Sequence, residues 1–247
     1  MVKDSMPAPH LNRIEKPRLL LASASPRRHD ILCQLGLTHH VVVPPSPDGQ
    51  EEPQLAGEDA QDYVVRTARE KVQRTVVWLK NIIAEQMETQ AQPSTTEAEP
   101  TPHTPLIPPL TGPELFNAYI LAADTTVIAD GEILGKPKNQ DHAADMLRQL
   151  SGGCHKVMTA IALWHAGKLS EDVITTTVEF ATLSDAAIAS YCNTQEPMGK
   201  AGAYGIQGRA AAFVKHLSGS YFNVVGLPTY ETLMLLKEAG YPIDCFI

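Results

Sequence analysis

The chain has 247 residues, of which 43% are apolar and 19% charged, and a formal net charge of −8. That length fits one large domain or two small ones around an ordinary globular core, and the acidic balance excludes a surface that coats nucleic acid. No apolar run approaches the ~20 residues that cross a bilayer, and the N-terminal stretch lacks the apolar core of a signal peptide, so a soluble, cytoplasmic protein is expected.

Residues 1–17 read as a flexible N-terminal extension. Leu19, Leu20, Leu21 and Ala22 then form a short apolar run consistent with a buried strand. Ser25 stands as a helix N-cap with Pro26 in the first turn, Ile31, Leu32 and Leu35 mark a buried face, and Gly36 is the stop. Arg27 and Arg28 fall in the first turn, where a cation is disfavoured by roughly 0.3–1 kcal/mol. Two readings account for the pair: solvated surface residues, or a phosphate cradle in which an anion docks among arginines, free N–H groups and serine hydroxyls.

Residues 39–43 read as a strand, and 44–57 as a loop rich in proline and acid, with Asp48, Glu51 and Glu52. From Glu58 to about Ile83 the apolar residues Val64, Ala68, Val72 and Val76 recur four apart, which predicts a helix. Lys71 lies at the edge of that stripe, either as a surface lysine or with its stem buried and its ammonium in a cleft. Residues 85–113 hold seven prolines and six threonines but no lysine or arginine. They read as a disordered insertion, with order resuming at Ala118.

Residues 119–123 predict a buried strand ending on Asp124, with Asp130-Gly131 as a hairpin turn before a returning strand and Lys136. An acid at that position is costly to bury unless it caps a turn, is paired, or binds a metal. Asp141 is expected to cap a helix to Leu150. Residues 155–163 and 172–181 read as strands, and Ser184 as the cap of a helix to about Cys192. His155 is either a hydrogen-bonded structural histidine or a catalyst. Glycines 199, 202, 205 and 208 recur at three-residue spacing, which permits tight bends or close approach to a ligand. The stretch is neither a Walker loop nor a dinucleotide fingerprint. Residues 213–217 and 221–225 read as strands, and Pro228 opens the last helix, which Gly240 ends. Cys33, Cys154, Cys192 and Cys245 are scattered without a C-x-x-C pair, so they read as reduced thiols and not as a zinc site.

Ser23-Ala24-Ser25-Pro26-Arg27-Arg28 resembles the opening S-x-S-P-R-R block of the Maf family of nucleoside triphosphate pyrophosphatases. Four later stretches resemble that family in order. They are the run from Tyr63 to Lys71, the central Ala123-Asp124-Thr125-Thr126-Val127 with Leu134-Gly135-Lys136-Pro137, the Leu150–Thr159 run containing His155, and the closing Asn223–Pro228 block. Ala201-Gly202-Ala203-Tyr204-Gly205-Ile206-Gln207-Gly208 resembles the branch acting on dTTP and UTP, except that Gly199 stands where that branch usually has aspartate.

The resemblance implies a mixed α/β, Maf/ITPase-like fold, in which a long twisted sheet divides two lobes around a central cleft, in one catalytic domain over 18–247 and often in a homodimer. It implies hydrolysis at the α-phosphorus, releasing nucleoside monophosphate and pyrophosphate, with Mg²⁺ or Mn²⁺. Arg27, Arg28, Lys71 and Lys136 are the expected cations and Ser23 a hydrogen-bond donor. Asp124 is expected as general base or metal ligand, with Asp48, Glu51 or Glu52 as a second ligand. Thr125 and Gln207 are carried over as base-selectivity positions. A nucleotide-binding regulator with little catalysis, and the same reaction on a methylated guanine nucleotide, are the alternatives.

Overall fold

The computed structural model describes residues 17–45, 53–91 and 110–243. Asp48, Glu51 and Glu52, residues 1–16, and residues 92–109 of the expected insertion lie outside these.

Leu19–Leu21 form β1, buried on both faces, as befits an interior parallel strand. It pairs in parallel with β2 (His40–Val41) on one side and β3 (Tyr119–Ala129) on the other. The helix α1 (Pro26–Gln34) connects β1 to β2, and α2 (Ala60–Ala91) lies on the way from β2 to β3. Successive strand residues point to opposite faces, so Leu19 and Leu21 pack with Ile31 and Leu32 of α1, while Leu20 packs with Val64, Val72 and Leu79 of α2. The order β2-β1-β3, with these helices on opposite faces, makes a switch point beyond the carboxyl end of β1. In open α/β sheets such crevices receive ligands.

From β3 onward the sheet is antiparallel. β3 turns through Asp130 and Gly131, both at positive φ as a two-residue hairpin requires, into β4 (Glu132–Leu134). Next come β5 (Cys154–His165), β6 (Lys168–Phe180) and β7 (Val214–Ser218), giving a seven-stranded mixed sheet ordered β2-β1-β3-β5-β6-β7 with β4 beside β3. The helices α4 (Gln140–Leu150), α5 (Asp185–Cys192), α6 (Tyr221–Val225) and α7 (Thr229–Glu238) cover the α1 face. On the other face α2 is joined by Leu115 of α3 (Gly112–Asn117). The α/β class, mixed sheet and two lobes are as expected.

Four local expectations are corrected. Residues 221–225 are helical, not a strand: Ser220 Oγ accepts from the Asn223 N–H at 3.2 Å, and buried Asn223 anchors the turn to the sheet. The aromatic and β-branched composition that suggested a strand is overridden by those bonds. Residues 85–91 continue α2, in keeping with their good helix formers and no proline before Pro93. Order resumes before Ala118, because Thr111 and Glu114 form a reciprocal capping box that starts α3. The cap of α4 is Asn139, whose Oδ1 accepts from the His142 N–H at 2.8 Å, and not Asp141.

Candidate active site

The turn leaving β1 is shaped by its own side chains. Ser23 Oγ accepts from the Ser25 N–H at 3.2 Å and from Arg28 Nη1 at 3.1 Å. Ser25 holds the N-cap position with extended backbone, although its hydroxyl makes no capping bond, and Pro26 follows. No acid stands in the first turn of α1. Its unpaired N–H groups and the Arg27 side chain therefore form one positive edge. Arg27 borders the crevice and has no hydrogen-bond partner among the described residues.

Arg28 is held on three sides. Its Nε donates to the Gly226 carbonyl at 2.8 Å, Nη1 to Ser23, and Nη2 to Thr125 Oγ1 at 3.1 Å. Thr159 donates its hydroxyl proton to the Asn223 carbonyl at 2.9 Å, so Thr125 is the donor in the 2.9 Å bond between the two threonines. Asn223 Nδ2 in turn donates to the Val157 carbonyl and to Thr176 Oγ1, both at 2.9 Å. This network ties α1, β3, β5, β6 and α6 together at the floor of the crevice. Burial pushes the Arg28 pKa down to about 10, against the nearby Asp124 charge, with Arg27 lowering it further. The guanidinium stays charged at neutral pH.

Asp124 and Thr125 are neighbours on β3 and face opposite sides of the sheet. Asp124 faces α2, where Lys71 Nζ donates to its Oδ1 in a mostly buried ion pair. Its Oδ2 has no partner among the described residues. Lys136, just beyond β4, borders the same crevice.

The third wall is the segment after α5 that carries exposed Gln207. Tyr191 Oη donates to Glu196 Oε1 at 3.0 Å and accepts from the Gly205 N–H at 3.2 Å, and Glu196 Oε2 accepts from the Arg209 N–H at 3.1 Å. Lys200 Nζ donates to the Glu196 carbonyl. Burial and the nearby Arg27 charge push the Lys200 pKa down, partly offset by Glu196. Beneath this segment His155 Nε2 bonds Tyr204 Oη at 2.8 Å within an aromatic cluster that includes Phe180. His155 is 2% exposed, and burial pushes its pKa down to about 4. It supports the wall from behind and does not border the crevice.

The predicted residues Ser23, Arg27, Arg28, Lys71, Asp124, Thr125, Lys136 and Gln207 thus border one cleft of roughly 540 Å³. Among its described lining residues Asp124 is the sole carboxylate, set against Arg27, Arg28, Lys71, Arg74, Lys136 and Lys200. A family model described as Maf-like protein matches residues 18–239. The chain belongs to the Maf-like protein family.

Three relatives, each named dTTP/UTP pyrophosphatase, span most of this Maf-like chain. The protein of Bordetella parapertussis is 48% identical over 229 residues, covering 93% of this chain and 96% of the relative. That of Salmonella typhimurium is 43% identical over 220 residues, covering 89% and 92%. That of Colwellia psychrerythraea is 41% identical over 224 residues, covering 91% and 89%.

Sequence reading missed Arg74 and Lys200 as cleft residues. Arg74 lies three residues after Lys71 on one helix face, a spacing that could have flagged it. Lys200 was legible only as the neighbour of Gly199. The Tyr191–Glu196 clamp had no local signal, because its partners are spread from α5 to Arg209.

Proposed function

We infer that this Maf-like protein is a nucleoside triphosphate pyrophosphatase that hydrolyses dTTP and UTP to the monophosphate and pyrophosphate. The observation that carries the reading is that, among the described lining residues, one carboxylate, Asp124, is set among six cationic side chains in a cleft at the sheet's switch point. A triphosphate carries about four negative charges, and its transfer chemistry rests on positioning and on neutralising charge. The names of the relatives supply the pyrimidine preference.

In this reading Arg27 and the first turn of α1 receive the phosphates, together with Lys136 and Lys200, which border the same cleft. Lys71 orients the Asp124 carboxylate through Oδ1, leaving Oδ2 to hold the attacking water and accept its proton. Arg28, with three of its five N–H donors engaged, sets the distance between the cradle and β3. Thr125 contributes to base selection through the position Arg28 gives it. The Gln207 amide offers both donor and acceptor, matching the imide edge of uracil or thymine.

The cleft also fits a hard divalent cation. Mg²⁺ and Mn²⁺ take oxygen ligands, and Mg²⁺ is commonly held by one or two carboxylates together with substrate phosphates. Asp124 would hold it here, with Asp48, Glu51 or Glu52 as the proposed second ligand. When bound, the ion supplies charge neutralisation at the phosphoryl oxygens. A cytoplasmic homodimer acting on the free nucleotide pool completes the proposal.

The test is pyrophosphate release from dTTP, UTP, CTP, GTP and methylated GTP, with Mg²⁺ or Mn²⁺. Turnover of dTTP and UTP well above the guanine nucleotides is expected. Turnover of guanine nucleotides alone would overturn the base assignment.

A further inference from the structure

Outside the cleft, α1 presents a second cluster of chemistry-bearing side chains. His29 and Cys33 stand four residues apart and so share one face of the helix, turned away from buried Ile31 and Leu32. The chain doubles back at the helix end, where the Gly36 N–H bonds the Cys33 carbonyl at 2.9 Å and the Leu37 N–H the Leu32 carbonyl at 3.0 Å. Leu37 packs into the core, and His39 is thereby brought against the exposed face of α1. His29 Nδ1 lies 2.8 Å from His39 Nε2 and 4.0 Å from Cys33 Sγ, which is 3.6 Å from the other ring nitrogen, Nε2. One ligand atom from each residue falls within 4.8 Å of the others.

We propose that His29, Cys33 and His39 form a binding site for Zn²⁺ or a similar thiophilic transition-metal ion, separate from the phosphate cleft. The donor set decides the class of ion. Two imidazoles and a thiolate suit zinc and its d-block neighbours, whereas the hard ions expected at Asp124 take oxygen. Zinc bonds of about 2.0–2.1 Å to nitrogen and 2.3 Å to sulfur imply ligand separations of about 3.4–3.6 Å in a tetrahedron. With His29 Nδ1 as the ligand atom, its 2.8 Å to His39 Nε2 and 4.0 Å to Cys33 Sγ lie on either side of those values, and the exposed His29 and Cys33 side chains can adjust by rotation.

The surroundings of His39 support the assignment. His39 Nδ1 lies 2.8 Å from the Leu37 carbonyl, so Nδ1 carries the proton and Nε2 presents its lone pair to the cluster. A backbone carbonyl on the far ring nitrogen is the usual partner of a metal-bound imidazole, fixing both tautomer and ring orientation. Three protein ligands with exposed members leave a fourth position for water. Cysteine spacing alone gave no hint of this site, because one thiol serves it and the other two ligands are histidines.

The full chain, stripped with chelator and kept under a non-thiol reductant, is dialysed against Zn²⁺ and, separately, titrated with Co²⁺ for absorbance. One zinc per chain and a near-ultraviolet thiolate-to-cobalt band are expected. Cys33→Ser should abolish the band and weaken zinc binding by more than the ~10–100-fold typical of losing an outer-shell partner, and His39→Ala should weaken it likewise. Cys154→Ser and Asp124→Asn should retain both signals. Zinc should also raise the melting temperature of the wild type in a concentration-dependent way, and not that of Cys33→Ser. No retained zinc, binding indifferent to Cys33→Ser and His39→Ala, or binding lost in Asp124→Asn would each overturn the proposal.

Discussion

Arg28 Nη2 donates to Thr125 Oγ1 at 3.1 Å, which fixes the helix after β1 against the residue that follows Asp124. The same guanidinium reaches the Gly226 carbonyl and Ser23, so one side chain sets the spacing of the turn after β1, Asp124 and α6. A lysine is a point charge and cannot bridge three acceptors in a fixed plane. Arg28→Lys is therefore expected to lower kcat/KM for dTTP by about 100-fold, the cost of an ångström-scale misplacement. Steady-state kinetics with unchanged values would remove Arg28 from this role.

The wall bearing Gln207 depends on a close approach between Gly208 and Glu196. A Cβ built at Gly208 would lie 2.1 Å from Glu196 Oε1, which is far inside contact distance. Gly208→Ala must displace the carboxylate that holds Tyr191 and the Arg209 N–H. The expected result is a loss of discrimination between UTP and GTP of about 10-fold or more, since one such hydrogen bond to a charged group contributes about 1.5–3 kcal/mol. A ratio of kcat/KM values equal to the wild type would contradict the clamp.

Gly199 sits at φ +72° with open space around it, in a region that aspartate tolerates better than most residues. Gly199→Asp should fold normally and add a carboxylate to the cleft rim. The half-saturating Mg²⁺ concentration is expected to fall on the order of several-fold as ligand charge rises. A metal titration of activity superimposable on the wild type would show that the position does not reach the ion.

His155 makes stability depend on pH. Its folded-state pKa is about 4 against an ordinary value of 6.5, so the unfolded chain binds the extra proton first as pH falls. Unfolding free energy should drop as pH falls from about 6.5 to 4, by up to about 3 kcal/mol from this group, and should not change on its account above that window. Denaturant unfolding of His155→Gln is expected to start from lower stability with this part of the slope missing. A slope identical to the wild type would assign the acid sensitivity elsewhere.

Much of the cleft wall was legible because its signals are local. Pro26 after Ser25, the Asp130-Gly131 turn, and the apolar run before Asp124 each specify their own geometry within a few residues. The coming together of Lys71 and Asp124 was foreshadowed by periodicity, since Lys71 flanks the buried stripe of α2. Tyr221–Val225 was misread because its side chains favour a strand, and only the bonds of Ser220 and Asn223 make it helical. The Glu196 clamp and the meeting of His39 with α1 arise from chain reversals whose outcome no local window specifies.

The measurement that bears most directly on the proposed chemistry is pyrophosphate release from dTTP and UTP by wild type and Asp124→Asn under saturating metal. The amide keeps the shape but accepts no proton, so kcat should fall by about 100- to 10,000-fold while the fold and nucleotide binding persist. Full turnover in Asp124→Asn would contradict the role given to Asp124. A wild type that binds these nucleotides without releasing pyrophosphate would point instead to a nucleotide-sensing protein.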